Sequence, residues 1–298
     1  MIVGITGAAG FLGTAIAAEG KRRGWTIVGY SRDPRRSIAG TDEVRSLADP
    51  GSIDLSGIEA VIHLAGEPVS KLWTADRRRL IHDSRVDLTT DLVEAMRSLP
   101  RTRRPSVFVS ASAVGYYGDR GDEWLDEESE VGFGFLPAVC RDWEAASAKA
   151  ERLGVRVVNP RIGIVLGDGG FLKSLQPIFR LGLGGRLGRG DQWMPWIHID
   201  DLVRIFVECV ENPAIHGAVN GVAPEPVTNR EFTRQYARLL NRPALLPVPA
   251  WLLRRFPGGM GSLFLDSQRA EPAALRAFGF QFQFPKLESA LREFKVES

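Results

Sequence analysis

The opening of the chain constrains it most. A short apolar run, Ile2–Thr6, ends in Thr6-Gly7-Ala8-Ala9-Gly10-Phe11-Leu12-Gly13 and passes directly into a helical pattern. Each glycine suits its position for a different reason: Gly7 permits a tight turn, Gly10 lets the backbone approach a pyrophosphate, and Gly13 allows helix and sheet to pack closely. The free amides at the helix start then face the anion. A glycine triplet alone is weak evidence. Set between the first strand and first helix of a βαβ chain, it predicts a dinucleotide cradle contacted by Thr6, Gly7, Gly10, Phe11, Leu12 and Gly13.

The first half keeps that rhythm. Strands are expected at Ile2–Thr6, Thr26–Tyr30, Val44–Leu47, Ala60–Leu64, Ser106–Ser110 and Val155–Asn159, with helices near Phe11–Arg23, Thr74–Leu99 and Leu136–Leu153. In the long helix Ile81, Leu88, Leu92, Met96 and Leu99 recur at mostly three- and four-residue steps, one stripe for a sheet or partner helix. After Pro160, glycines crowd the chain from Gly163 to Gly190 around a brief helical stretch, a loop-built surface of the kind that carries sites. A helix at Asp200–Glu211 and a strand at Ala218–Gly221 restore the rhythm, and from Val222 prolines punctuate short helices. The expected fold is α/β: a Rossmann-type doubly wound parallel sheet with a smaller C-terminal substrate domain. Residues 1–165, rejoined by 197–222, are the expected dinucleotide-binding domain, and 166–298 the substrate side.

Composition narrows the function classes. At 298 residues and 44% hydrophobic, the chain can bury a sizeable core, which excludes a disordered, collagen-like or rod-like protein. Lys+Arg 38 against Asp+Glu 36 leaves +2, with no dedicated basic stripe read along the chain, so nucleic acid is not an expected partner. No apolar run approaches the ~18 residues of a membrane span. The first positive side chain is Lys21, which leaves no basic n-region for a signal peptide. Cys140 and Cys209 are far apart and lack the paired spacing of a zinc site or disulfide framework. The expectation is a cytoplasmic monomer or homodimer that binds a small molecule, with no membrane and no metal.

The Gly-x-x-Gly-x-x-Gly spacing resembles the short-chain dehydrogenase/reductase superfamily. His63-Leu64-Ala65-Gly66, Ser110-Ala111-Ser112 with Tyr117-Gly118, and the late His198-Ile199-Asp200-Asp201 sharpen the likeness to its extended, epimerase/dehydratase branch. The chain looks, more narrowly, like the atypical epimerase family of bacterial YfcH. The matching runs are 112–118, Cys140-Arg141-Asp142-Trp143-Glu144, 161–167, 184–188 and the terminal Gly279-Phe280-Gln281-Phe282 with Pro285. The resemblance implies an NAD(P)-dependent epimerase or oxidoreductase, with Leu64, Ala65 and Gly66 beside the cofactor.

The second strand ends Gly29-Tyr30-Ser31-Arg32, without the acid that accepts hydrogen bonds from an NAD ribose. Ser31 is small enough to admit a 2′-phosphate and Arg32 can pair with it, with Arg35 or Arg36 nearby, so NADP is expected over NAD; Asp33 is the counter-evidence, and the alternative is that the three arginines are solvated loop charges.

The superfamily's proton transfer uses a tyrosine four residues before a lysine. Ser112 matches the accompanying serine, but Leu136 and Cys140 occupy the places of the pair. Lys149 cannot substitute, because nine residues of helix advance about 900° and turn it off the Cys140 face. Of the four tyrosines, Tyr116 and Tyr117 follow the serine strand, so Ser112 with Tyr116 or Tyr117 is the expected catalytic set, packing under the substrate being the alternative. Cys140 reads as a buried thiol, Glu67 as a second acid or a cap, and His63 and His198 as structural or cofactor-contacting residues. On the substrate side Arg161, Arg186 and Trp193 are candidates for holding phosphate and stacking a ring. Two functions stay open: an NADP-linked oxidoreductase or epimerase acting on a small carbonyl/hydroxyl or nucleotide-sugar compound, and a non-catalytic NADP-binding sensor or interaction protein.

Overall fold

The structure is a computed structural model that describes residues 1–294. Seven strands form one parallel sheet: β1 (Ile2–Thr6), β2 (Thr26–Ser31), β3 (Glu43–Ser46), β4 (Ala60–His63), β5 (Val107–Ser110), β6 (Arg156–Ile162) and β7 (Gly217–Gly221), in the spatial order β7-β6-β5-β4-β1-β2-β3. The two-residue strand Ser112–Ala113 also joins it, pairing with Arg161 and Ile162. The order reverses at β1, so the loops after β1 and β4 part at the carboxyl edge and leave a crevice there.

Each inner strand is buried on both faces, and alternate residues enter two separate cores. Val3, Ile5, Ile62, Val107 and Val109 pack under helices α1 (Phe11–Arg22) and α5 (Ile199–Glu211). Val61 and Phe108 turn the other way, against Leu92, Val93 and Met96 of α2 (Ala75–Ser98), beside which α3 (Phe135–Ala148) lies. The sequence expectations for these elements hold to within a few residues, with two informative departures. Strand β6 runs on through Pro160 to Ile162, because its end is held between β7 on one side and Ser112–Ala113 on the other. The third long helix ends at Ala148 and tightens into a 3₁₀ turn, Lys149–Leu153, closed by the left-handed Gly154.

The brief helix between glycine-rich loops is α4 (Gly170–Arg180), and α6 (Asn229–Leu239) starts with a capping box between Thr228 and Glu231. The late His-x-x-Asp signature and the terminal Phe-Gln-Phe run, read separately in the sequence, turn out to dock on each other. Asp201 is wholly buried and accepts from the backbone N–H groups of Gln283 and Phe284 (2.9 Å each), while His198 caps α5 and packs its ring, tilted by 34°, against Phe284 at 3.9 Å. Two charge-assisted backbone bonds thus fasten the C-terminal segment to the helix that covers the sheet.

Candidate active site

At the end of β1 the chain makes the predicted turn. Gly7 has φ +71°, a conformation that suits glycine. A Cβ on Gly13 would sit 2.3 Å from the Gly7 carbonyl oxygen, so helix α1 approaches the turn as closely as only glycine allows. No side chain caps α1 and no acid lies in its first turn, which leaves its leading amides without an intramolecular anion.

Thr6 joins this turn to the end of β4. Its Oγ1 accepts from the N–H groups of Leu64 (3.1 Å) and Ala65 (3.2 Å) and donates to His63 Nδ1 (2.6 Å). His63 is completely buried, and burial, with Arg85 nearby, pulls its pKa down to about 3, so it stays neutral and acts as an acceptor here. Leu64 and Ala65 are therefore held against Gly7 by a buried polar clasp. Phe11 lies over the 167–170 loop, where Cβ atoms on Gly167 or Gly169 would fall 2.4 and 2.7 Å from its ring.

From this turn a cleft of about 520 Å³ runs along the carboxyl edge. Gly7, Gly10, Phe11, Leu12, Gly13 and Leu64 line it at one end, Ser112, Cys140 and Trp143 line its floor, and the 192–195 and 262–268 segments form the opposite wall. The structure thus brings six of the expected cofactor residues and Ser112 to one cavity, whereas Thr6, Ser31, Arg32, Ala65 and Gly66 lie outside its lining. Ser31 ends β2, one residue beyond the partner of Thr6, and Arg32 follows it. Ser31 Oγ accepts from the Asp33 N–H, Asp33 is engaged by Arg35, and Arg32 is exposed.

The expected catalytic and substrate residues are distributed differently. Tyr117 is fully buried; its hydroxyl donates to Asn220 Oδ1 (2.7 Å), with the Asp126 carbonyl also within 2.9 Å, and accepts from Arg161 Nη1 (3.0 Å). Burial pushes its pKa up to about 12. Tyr116 lies with its ring 3.6 Å from the Arg161 guanidinium carbon, and neither tyrosine lines the cleft. Arg161, expected to meet substrate, instead grips Glu144 through a fork of two 3.0 Å bonds, with only 5% of its side chain exposed. Ser112 donates to the same Glu144 carboxylate at 2.6 Å. The group beside the serine is therefore a carboxylate held by an arginine, and the tyrosines brace that arginine from behind.

Trp193 does line the cleft, with its indole N–H on Asp122 (2.6 Å) and Arg269 stacked on its face. Arg186 does not. It lies in a second groove with Arg230, Arg234, Arg238 and Arg242, so the sequence reading that found no basic stripe is corrected by the folding of α6 against the 186 loop. Glu67 pairs with Arg77 at 2.8 Å, Arg141 with Asp142, and Lys149 is exposed. Cys140 lines the cleft as a protonated thiol, since burial pushes its pKa up to about 12.

Sequence reasoning missed two cleft residues. Arg85 sits at the position of α2 one turn beyond Ile81, a charge within the apolar stripe, and that misfit was its signal. Asp266 had none. It follows a four-residue helical turn, Ser262–Leu265, that only the tertiary fold places over the cleft, and burial, reinforced by Asp119, raises its pKa to about 6.

Comparison with known proteins agrees with this geometry. Residues 3–220 match the family model described as the NAD dependent epimerase/dehydratase family, and 248–294 match a domain of unknown function, DUF1731. The chain is 37% identical over 303 residues to the chloroplastic epimerase family protein SDR39U1 homolog of Arabidopsis thaliana, covering 98% of this chain and 86% of that protein. It is 36% identical over 296 residues to the epimerase family protein Mb2239 of Mycobacterium bovis, covering 97% and 96%. The crystal structure of human epimerase family protein SDR39U1 with NADPH superposes with a TM-score of 0.89 at 33% identity, covering 98% of both chains. Among the described residues no helix is long and apolar enough to cross a membrane. By fold, by cradle and by match over most of its length, the chain belongs to the NAD dependent epimerase/dehydratase family.

Proposed function

We propose that the protein is an NADP-dependent oxidoreductase or epimerase acting on a small carbonyl/hydroxyl or nucleotide-sugar substrate. The observation that carries this reading is the cleft itself, which runs without interruption from an uncapped helix N-terminus to Ser112. The residues fit NADP: the amides of Phe11, Leu12 and Gly13 suit the pyrophosphate, Leu64, Ala65 and Gly66 flank it, and Ser31 with the exposed Arg32 suits a 2′-phosphate. The human relative solved with NADPH supports the same preference. When bound, the cofactor exchanges a hydride with a carbonyl or hydroxyl carbon.

The chain's own part is the proton. Ser112 Oγ can take the proton of a substrate hydroxyl as its own passes to Glu144 Oε1 at 2.6 Å, and the reverse sequence serves a carbonyl. Arg161 fixes both Glu144 oxygens, so the acceptor stays oriented without a lysine. We assign this role to Ser112 and Glu144 in preference to Tyr116 or Tyr117. Residues 1–165 with 197–222 serve the dinucleotide and the remainder the substrate, and the matching runs at 112–118 and 140–144 support the narrower kinship with the YfcH-like group. Both cysteines are free and buried, in keeping with a reducing compartment such as the cytoplasm.

The test is the fluorescence of bound NADPH, followed as its decay when a panel of carbonyl compounds meets the NADPH-bound protein and as its appearance when hydroxy compounds and nucleotide-sugars meet the NADP+-bound protein, with the nucleotide-sugars also assayed for epimerised product. Turnover of one of them, slowed about 10²-fold or more in Ser112→Ala, is the expected result. Tight cofactor binding with neither change and no epimerised product across the panel would favour the second reading, a non-catalytic NADP sensor, which the absent tyrosine–lysine pair supports.

A further inference from the structure

Among the described residues that line the cleft, Arg85 is the sole lysine or arginine and Asp266 the sole acid, and they belong to different segments. The guanidinium of Arg85 lies on the Gly66 backbone, where a Cβ would come within 3.0 Å of its central carbon, and 5.2 Å from the centre of the Trp143 ring. Only one of its nitrogens is used: Nη1 donates to the carbonyls of Glu67 and Ile81, both at 3.0 Å, whereas Nε and Nη2 make no hydrogen bond with the described residues. Among the described residues no carboxylate pairs with it directly, although Glu67 attracts it at longer range. The nearby Glu67 is taken by Arg77, and the neighbouring Cys140 is a neutral thiol. Its other neighbours on the cleft wall, Val69, Ile81 and Leu136, are apolar.

A half-buried cation that lines the cleft with a pair of donors uncommitted within the described residues is suited to an anionic ligand. We propose that Arg85 recognises the carboxylate of the substrate, so that the compound turned over is a carbonyl or hydroxy compound bearing a carboxylate close to its reacting carbon. This inference rests on the proposed function and narrows its substrate class. The free Nε–Nη2 edge matches the two oxygens of a carboxylate. One positive charge in an apolar wall balances one negative charge, where a phosphate dianion would call for further donors. Trp143, 5.2 Å from the Arg85 guanidinium, lines the cleft together with Ser112 and Cys140, so an anion on Arg85 would share that cleft with the serine.

The experiment titrates malonate, with neutral malonamide as control, into the full-length protein by calorimetry, both without cofactor and with saturating NADPH. NADPH affinity is measured separately for wild type, Arg85→Met and Arg85→Lys. The expected result is that malonate binds and malonamide does not, that Arg85→Met weakens malonate at least about tenfold while changing NADPH affinity less than about twofold, and that Arg85→Lys falls between, because a point charge replaces the fork. Absence of malonate binding by wild type, equal binding by Arg85→Met, or equal binding of malonamide would overturn the inference. So would a tenfold loss of NADPH affinity in Arg85→Met, which would assign the guanidinium to the cofactor. Should Arg85→Met fail to fold, Arg85→Lys decides alone: unchanged malonate affinity counts against the inference, weakened affinity with unchanged NADPH affinity for it. Failure of wild type to bind NADPH would defeat the proposed function and not this inference, which the titration without cofactor still reads.

Discussion

The two ends of the cleft are built on different principles. The cradle end is made of backbone: three glycines at fixed spacing, a helix start left uncapped, and a threonine that clasps the neighbouring loop. The Ser112 end is made of side chains gathered from segments more than a hundred residues apart, with Ser112, Tyr117, Glu144, Arg161 and Asn220 in one hydrogen-bonded chain. The first arrangement tolerates almost any surroundings that preserve the turn. The second holds a buried ion pair and a buried phenol together only because every polar atom finds a partner, so the removal of one member leaves the others unsatisfied.

That contrast is broken most forcefully at Arg161. Replacing it by methionine strands the Glu144 carboxylate and removes a partner of Tyr117, and an unfolding titration should show a loss of about 3–5 kcal/mol. Gly13→Val attacks the other end. The 2.3 Å clash with a carbonyl must push α1 away from the turn, and NADPH affinity measured by fluorescence should fall roughly a hundredfold or more, whereas Arg161→Met protein that remains folded should still bind the cofactor.

Tyr117→Phe sharpens the comparison. If the hydroxyl braces Arg161 and Asn220, its loss costs about 1–3 kcal/mol of stability and leaves NADPH binding unchanged. Tyr116→Phe, whose ring and not whose hydroxyl meets Arg161, should stay within about 0.5 kcal/mol.

Asp266 adds a pH signature. Its folded pKa of about 6 lies above the ordinary carboxyl value of 3.8, so the protonated form is favoured in the fold. Its stabilising contribution is complete below about pH 4 and is lost as pH rises through 6. Asp266→Asn should therefore match wild type at pH 4 and exceed it by about 1–2 kcal/mol at pH 8, as read from denaturation midpoints at the two pH values.

The same contrast explains what the sequence discloses. Periodicity and glycine spacing act over a few residues, so the strands, the helices and the cradle from Thr6 to Gly13 are readable. Arg161 shows the limit. A strand-end arginine near a presumed site reads as a ligand contact, and nothing local announces that Glu144, on a helix that packs beside β5 and β6, will claim it. Tyr117 misleads in the same way, since its sequence position after the serine strand says nothing about the Asn220 side-chain oxygen from β7 that accepts its hydrogen bond. Arg230, Arg234 and Arg238 share one face of α6 by their four-residue spacing, but only the fold sets Arg186 and Arg242 beside them.

The central claim is that one cleft serves the cofactor at its glycine end and the chemistry at Ser112. A crystal structure of the full-length protein grown with NADPH tests it most directly. The account predicts pyrophosphate density on the amides of Phe11 and Leu12, the 2′-phosphate beside Arg32, and the nicotinamide against the Ser112–Cys140 floor. Cofactor density away from the Gly7–Gly13 turn, or a nicotinamide directed out of the cleft and away from Ser112, would contradict it.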